Sequence, residues 1–285
     1  MTTAAGAAPA ETPSVPTVGR RWFDSRFLPP ALITLILLGG HLSYGILESY
    51  DRTLLAIVTS LLAEAVLGRL TYGRWPHLAS AYITGISVGI LIRSPFIWPY
   101  VACSLISIAS KYVLRVRGRH LWNPSNFGVC AMLWLAPSTV AVLSIQWGNT
   151  LWTMLIIWAL GAVAVWRVQR LHICATYVAA FFVLALARSW IGEGPWLAEA
   201  APITGSMYQL FVFFMITDPR TTVRSRPAQC GVVLGVALVE AALRLAEVVY
   251  APFYALFLVG PPAMLVDLYR RSEGRGEVKL PGPAA

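Results

Sequence analysis

The sequence predicts an all-α polytopic membrane protein of about ten transmembrane helices. Three observations carry that prediction. The chain of 285 residues is 57% hydrophobic and only 12% charged, about half the charge of an ordinary soluble domain, and its mean hydropathy is +0.66. From Leu28 to Tyr269 it is a series of apolar segments with short polar breaks, each roughly the 17–25 residues that cross a bilayer as helix. The basic residues gather in alternate breaks, which is the positive-inside pattern.

In order, "MTTAAGAAPAETPSVPTVG" is rich in Ala, Pro and Thr and reads as a disordered tail over 1–26. "RRWF" before an apolar run hints at a twin-arginine signal. The run is long, lacks a convincing cleavage site and is followed by more spans, so it is read as a first transmembrane helix. The spans are 28–48, 53–70, 78–94, 96–114, 125–146, 150–167, 172–191, 203–217, 228–249 and 252–269. They form one domain over 27–270, with a second tail over 271–285.

Charge tests the count. With the N-terminus inside, the inner positions hold Arg20, Arg21, Arg26, Arg69, Arg74, Lys111, Arg115, Arg117, Arg119, Arg167, Arg170, Arg220, Arg224, Arg226, Arg270, Arg271, Arg275 and Lys279. These are 18 of the 22 Lys and Arg; only Arg52, Arg93, Arg188 and Arg244 fall elsewhere. A wrong count would scramble the alternation. Both termini are therefore expected in the cytoplasm, with the chain a multi-pass membrane protein. The net charge of +9 has the same explanation. No basic-aromatic patch or zinc pattern points to nucleic acid. Cys103, Cys130, Cys174 and Cys230 form no CxxC pair and read as small apolar residues in helices.

"ILIRSP" (90–95) and "FMITDP" (214–219) each break an apolar run with a polar residue and proline. Five spans separate them, so they face opposite sides, as in an inverted 5+5 repeat with broken helices around a central site.

Two stretches can carry chemistry. In "RGRHLWNPSNFGVC" (117–130), Asn123 is a good N-cap and Pro124 a natural first helical residue, with Asn126 in the same turn. The free N–H groups there, beside Arg115, Arg117, Arg119 and His120, can receive an anion. A flavin phosphate, a lipid phosphate or a partner's carboxylate each fits; a capped helix behind topogenic arginines is the plain alternative. In "FFMITDPRTTVRSRP" (213–227), Thr217 and Asp218 precede a proline that ends the helix. Asp218 can cap, bind a cation or pair with an arginine, or simply form a polar turn.

Charges inside spans are costly and point to ion paths or to mutual neutralisation. Glu240, Arg244 and Glu247 are spaced to share a helix face. Glu64 has no local partner in the sequence. No metal-ligand spacing, nucleophile elbow, P-loop or dinucleotide fingerprint occurs.

Together "SKYVLRVRGRHLWNPSNFGV" and "FFMITDPRTTVRSRPAQCGVVLGV" resemble the signatures of the RnfD/NqrB family. Its members are membrane subunits of the Rnf electron-transport complex and of the sodium-translocating NADH:quinone reductase. The resemblance extends over about residues 30 to 270, and the chain also looks like short actinobacterial members associated with enediyne biosynthesis. It implies a ten-helix inverted-repeat fold, a flavin, electron transfer coupled to ion movement, and other membrane subunits as partners besides the lipid bilayer. Asn123, Pro124, Thr217, Asp218 and Pro219 occupy the signature positions. One departure stands out: the family attaches FMN to the threonine of Ser-Gly-Ala-Thr, which is absent here, where "APSTVAVLSIQWGNTLWT" stands. Covalent FMN is therefore not expected, and noncovalent FMN or riboflavin is. A transporter or a biosynthetic membrane scaffold on the same fold is the alternative.

Overall fold

Two prolines, Pro29 and Pro30, open the first helix, where a missing N–H costs nothing. This helix, α1, covers Leu28–Tyr44 in a computed structural model that describes residues 28–44, 49–142 and 151–276. Both tails, Thr150 and the "WGNT" stretch lie largely or wholly outside the described residues.

Helix α2 (Tyr50–Tyr72) ends on Gly73 at φ 67°, whose N–H bonds to the Arg69 carbonyl; a left-handed cap of this kind favours glycine. Helix α3 (Ala79–Leu91) is short, and nearly every residue after Tyr82 is buried. It runs into strand β1 (Ile92–Arg93). Helix α4 (Trp98–Val113) starts on Pro99. A small hairpin follows, with β2 (Arg115–Val116) pairing β3 (Arg119–His120) antiparallel. Its turn, Arg117 at φ 51° and Gly118 at φ 78°, has the two positive φ angles of a tight hairpin connection.

Helix α5 covers only Pro124–Leu135, where the sequence predicts a helix running on to 146. Pro137 is the reason: it disfavours helix at Ala136, which sits at φ −139°. The chain continues extended into β4 (Ala141–Val142), which pairs β1 with Ile92 opposite Val142. Helices α6 (Leu151–Arg167) and α7 (Leu171–Ile191) follow. The next segment is broken: α8 (Trp196–Ala200), a 3₁₀ turn (Ala201–Thr204), α9 (Ser206–Leu210) and a π-helical turn (Phe211–Met215). Helices α10 (Arg226–Leu245) and α11 (Ala251–Gly276) complete the bundle.

Among the described residues four helical stretches are long and apolar enough to cross a membrane: Tyr50–Tyr72, Leu171–Ile191, Arg226–Leu245 and Ala251–Arg270. Large apolar side chains face outward along the bundle, including Leu42, Leu70, Val113, Trp190 and Val249. So much exposed apolar surface is expected against lipid, not water.

Helix α3 forms the centre, packed on α1, α2 and α4. Its glycines allow this. A Cβ on Gly85 would lie 2.5 Å from the Ile57 Cα, so only glycine lets α3 approach the α2 backbone. Helix α4 packs on α2 and α5, and α10 packs on α7 and α11. The core joins Ile86, Leu91, Tyr100, Cys103, Tyr177, Phe181, Tyr208, Phe211 and Phe253 in one cluster.

Candidate functional site

The two signature stretches, far apart in sequence, meet at one end of the bundle. Asn123 caps α5: its Oδ1 accepts from the Asn126 N–H at 3.1 Å. Its Nδ2 donates to Asp218 Oδ2 at 3.3 Å. Asp218 Oδ1 also accepts from the Arg220 N–H at 3.0 Å, and Oδ2 from the Thr221 hydroxyl at 3.2 Å. Thr217 turns back into its own helix, donating to the Phe213 carbonyl at 2.6 Å. Thus Asp218 organises the loop after the π-helical turn while holding the α5 cap. Asn126 is buried and donates to the Phe253 carbonyl at 3.2 Å, tying α5 to α11.

Two arginines of the hairpin donate to backbone carbonyls. Arg117 Nη1 donates to the Leu268 carbonyl at 3.1 Å. Arg119 Nη2 donates to the Pro219 and Thr222 carbonyls at 3.1 and 2.7 Å. Both clamp backbone, α11 in one case and the Asp218 loop in the other, and neither lines the cavity beside the cap.

That cavity has a volume of about 640 Å³, within the roughly 300–1,000 Å³ range of small-molecule sites. Helix α3 contributes Ser80, Thr84 and Ser87, α4 contributes Lys111, and the hairpin and α5 contribute His120, Asn123, Pro124 and Ser125. Helix α6 brings Ala164 and Val165, and the broken segment brings Phe213, Phe214, Thr217 and Asp218. The lining combines apolar and aromatic side chains with polar ones. Gly161 sets the position of Phe213, because a Cβ there would lie 2.5 Å from the ring.

Glu64 has a partner after all. Lys111 Nζ donates to Glu64 Oε2 at 2.9 Å and to Ser80 Oγ at 3.1 Å. The Tyr112 hydroxyl donates to Glu64 Oε1 at 3.1 Å. Both members of the ion pair are buried, and Lys111 lies in the cavity wall. Sequence reading assigned Lys111 only a topological role, and 47 residues separate it from Glu64.

His120 is the residue that sequence reading undervalued. It is 6% exposed, and its Nδ1 has no hydrogen-bond partner among the described residues. Burial, then the nearby Arg220, Arg115 and Lys111 cations, push its pKa down to about 4. It is a neutral imidazole near pH 7, not one more cation of the basic loop.

The second intramembrane group lies outside the cavity lining. Glu240 Oε2 accepts from the Tyr177 hydroxyl at 2.5 Å, and Oε1 accepts from Tyr208 and, at 3.0 Å, from Arg244 Nε. Arg244 also bonds Tyr208 and stands over the Phe181 ring. Glu247 does not join them. Helix α10 stops at Leu245, and Glu247 at φ 59° is exposed beyond the end.

Among the described residues no group of three or more His, Cys, Asp or Glu could hold a metal ion. No family model matches the chain, and no curated protein matches it as a relative.

Proposed function

We propose that this chain is an integral membrane subunit of an RnfD/NqrB-like electron-transport system, coupling redox chemistry to ion movement and holding a flavin without a covalent bond. The observation that carries the reading is the meeting of the Asn-Pro and Thr-Asp-Pro stretches, through Asn123 and Asp218, in the wall of a cavity of about 640 Å³.

Among the described residues the helices form ten segments when α8, the 3₁₀ turn, α9 and the π-helical turn are counted as one broken segment, which supports ten spans. The repeat draws support from packing: α4 sits between α2 and α5 as α10 sits between α7 and α11. Each half holds a buried carboxylate beside a cation and a tyrosine, Glu64 with Lys111 and Tyr112, and Glu240 with Arg244 and Tyr177. These are the groups through which ion movement is read. The chain offers no nicotinamide fingerprint, so electrons enter and leave through other membrane subunits. The expected setting is the bacterial cytoplasmic membrane with both termini inside.

The residues present fit a flavin. The aromatic side chains of Phe213 and Phe214 in the lining suit a flat ring. Bound flavin supplies one- and two-electron transfer. The protein's part is to hold it: Asn123 and Asp218 fix the two turns in the wall, and Lys111 and Ser80 present N–H and O–H groups.

The test is an absorption spectrum of detergent-purified protein before and after acid precipitation. Flavin bands that pass to the supernatant support the proposal. Bands retained in the pellet mean covalent flavin. A colourless protein that takes up neither riboflavin nor FMN when they are added rules out the flavin reading. Solute transport without redox chemistry, which the missing Ser-Gly-Ala-Thr favours, then stands in its place.

A further inference from the structure

Tyr112, Glu64, Lys111 and Ser80 form one unbroken chain of hydrogen bonds that ends in the cavity wall. The Tyr112 hydroxyl donates to Glu64 Oε1 at 3.1 Å, and Lys111 Nζ donates to Glu64 Oε2 at 2.9 Å. The same Nζ donates to Ser80 Oγ at 3.1 Å. One end lies near solvent: Tyr112 is half-buried, and its ring packs on Tyr72, which is 46% exposed at the end of α2. At the other end, Lys111 and Ser80 both line the cavity. Ser80 accepts from Lys111, and among the described residues its own O–H donates to nothing, so a proton can leave there.

A buried ion pair that only filled space could be replaced by apolar side chains at no loss. This pair is instead continued on both sides by hydroxyl groups, and each link can pass a proton. The site does not suit a metal cation. Both Glu64 oxygens already accept from donors, and the ammonium beside them repels a second positive charge.

We propose that Tyr112, Glu64, Lys111 and Ser80 are a proton path from the hairpin end of the bundle to the occupant of the cavity. The inference rests on the flavin reading, since a flavin takes up protons when it is reduced, and it names the proton as the ion moved past Glu64. In one passage the Ser80 O–H bond breaks toward the occupant, and the Ser80 oxygen takes a proton from the Lys111 ammonium. The amine takes one from Glu64, Glu64 takes one from the Tyr112 hydroxyl, and the Tyr112 oxygen takes one from water. One proton enters, one leaves, and no electrons travel along the path.

The experiment loads the detergent-purified full chain with riboflavin and mixes it rapidly with reduced methyl viologen, which brings electrons but no protons. Bleaching of the flavin reports electrons, and an indicator dye in weakly buffered solution reports protons. In the wild type the two run together, in sodium and in potassium salts alike. In Tyr112→Phe, which leaves the ion pair in place, riboflavin still binds but proton uptake lags by at least about tenfold, a modest share of what a positioned proton donor contributes. The double variant Glu64→Gln with Lys111→Met, which strands no charge, lags in the same way. Proton uptake that keeps pace with electrons in both variants overturns the inference and leaves the flavin reading standing, because protons then enter through the cavity's own opening. A requirement for sodium overturns it as well. Failure of the wild-type chain to take up riboflavin removes both. Either variant decides the matter if the other does not fold.

Discussion

The Asn123 side-chain amide donates to the Asp218 carboxylate at 3.3 Å, joining two turns 95 residues apart. Each group also organises its own turn, Asn123 as the α5 cap and Asp218 as the acceptor for Arg220 and Thr221. Asp218→Ala should cost about 1–3 kcal/mol, because the donors lose their shared acceptor. Asn123→Ala should cost about 1 kcal/mol for the cap alone. A double-mutant cycle by unfolding in detergent should give a coupling of at least about 0.5 kcal/mol. Strict additivity would mean the link contributes nothing.

The buried Lys111–Glu64 pair makes a sharper prediction. Lys111→Met strands the Glu64 charge in a dry site, and breaking such a pair costs about 3–5 kcal/mol. Glu64→Gln combined with Lys111→Met removes both charges and should recover most of that loss. A double variant no more stable than Lys111→Met alone refutes mutual neutralisation as the reason for the pair.

His120 predicts a pH dependence. Its folded pKa, about 4, lies below the roughly 6.5 of an unfolded histidine. Between those values the unfolded chain binds more protons, so its contribution to stability is complete above pH 6.5 and is lost as pH falls toward 4. Melting temperatures of the wild type and His120→Gln, compared from pH 7.5 down to pH 4.5, should converge as pH falls. A constant difference across that range would contradict the assignment.

Gly161 should be intolerant for a local reason. In Gly161→Val the new Cβ meets the Phe213 ring, and overpacking of this kind costs about 1–3 kcal/mol. The ring is driven toward the cavity, so flavin binding should weaken as well. Gly39→Ala, with open space around the new methyl group, serves as the control and should leave both melting and binding unchanged.

What the sequence makes legible follows from the range of the interactions. Asn123 with Pro124, and the helix stop before Pro219, are local chemistry and read directly. The Asn123–Asp218 and Glu64–Lys111 contacts depend on which helices become neighbours, and nothing within a turn or two of either residue signals them. Pro137 did carry a visible signal, yet the apolar run around it looked continuous, so α5 ends earlier than its hydropathy suggests. His120 was grouped with the arginines by proximity in the chain. Its neutrality comes from burial and from Arg220 across the fold, neither of which periodicity reports. Glu247 failed as a third member of its group because helical spacing assumes a helix that has already ended.

The β1–β4 pairing bears on how two short helices end. Helix α3, at 13 residues, is about 20 Å long, and α5, at 12, about 18 Å; a bilayer core is about 30 Å thick. Each is continued by extended chain whose amides need partners before they can rest in lipid. The Ile92 N–H bonds back to the Val88 carbonyl, and Ile92 and Arg93 pair with Val142 and Ala141. The extended end of the third segment is thus tied to the extended end of the fifth. Two helices that are each too short to cross the bilayer core alone therefore end on one shared ribbon.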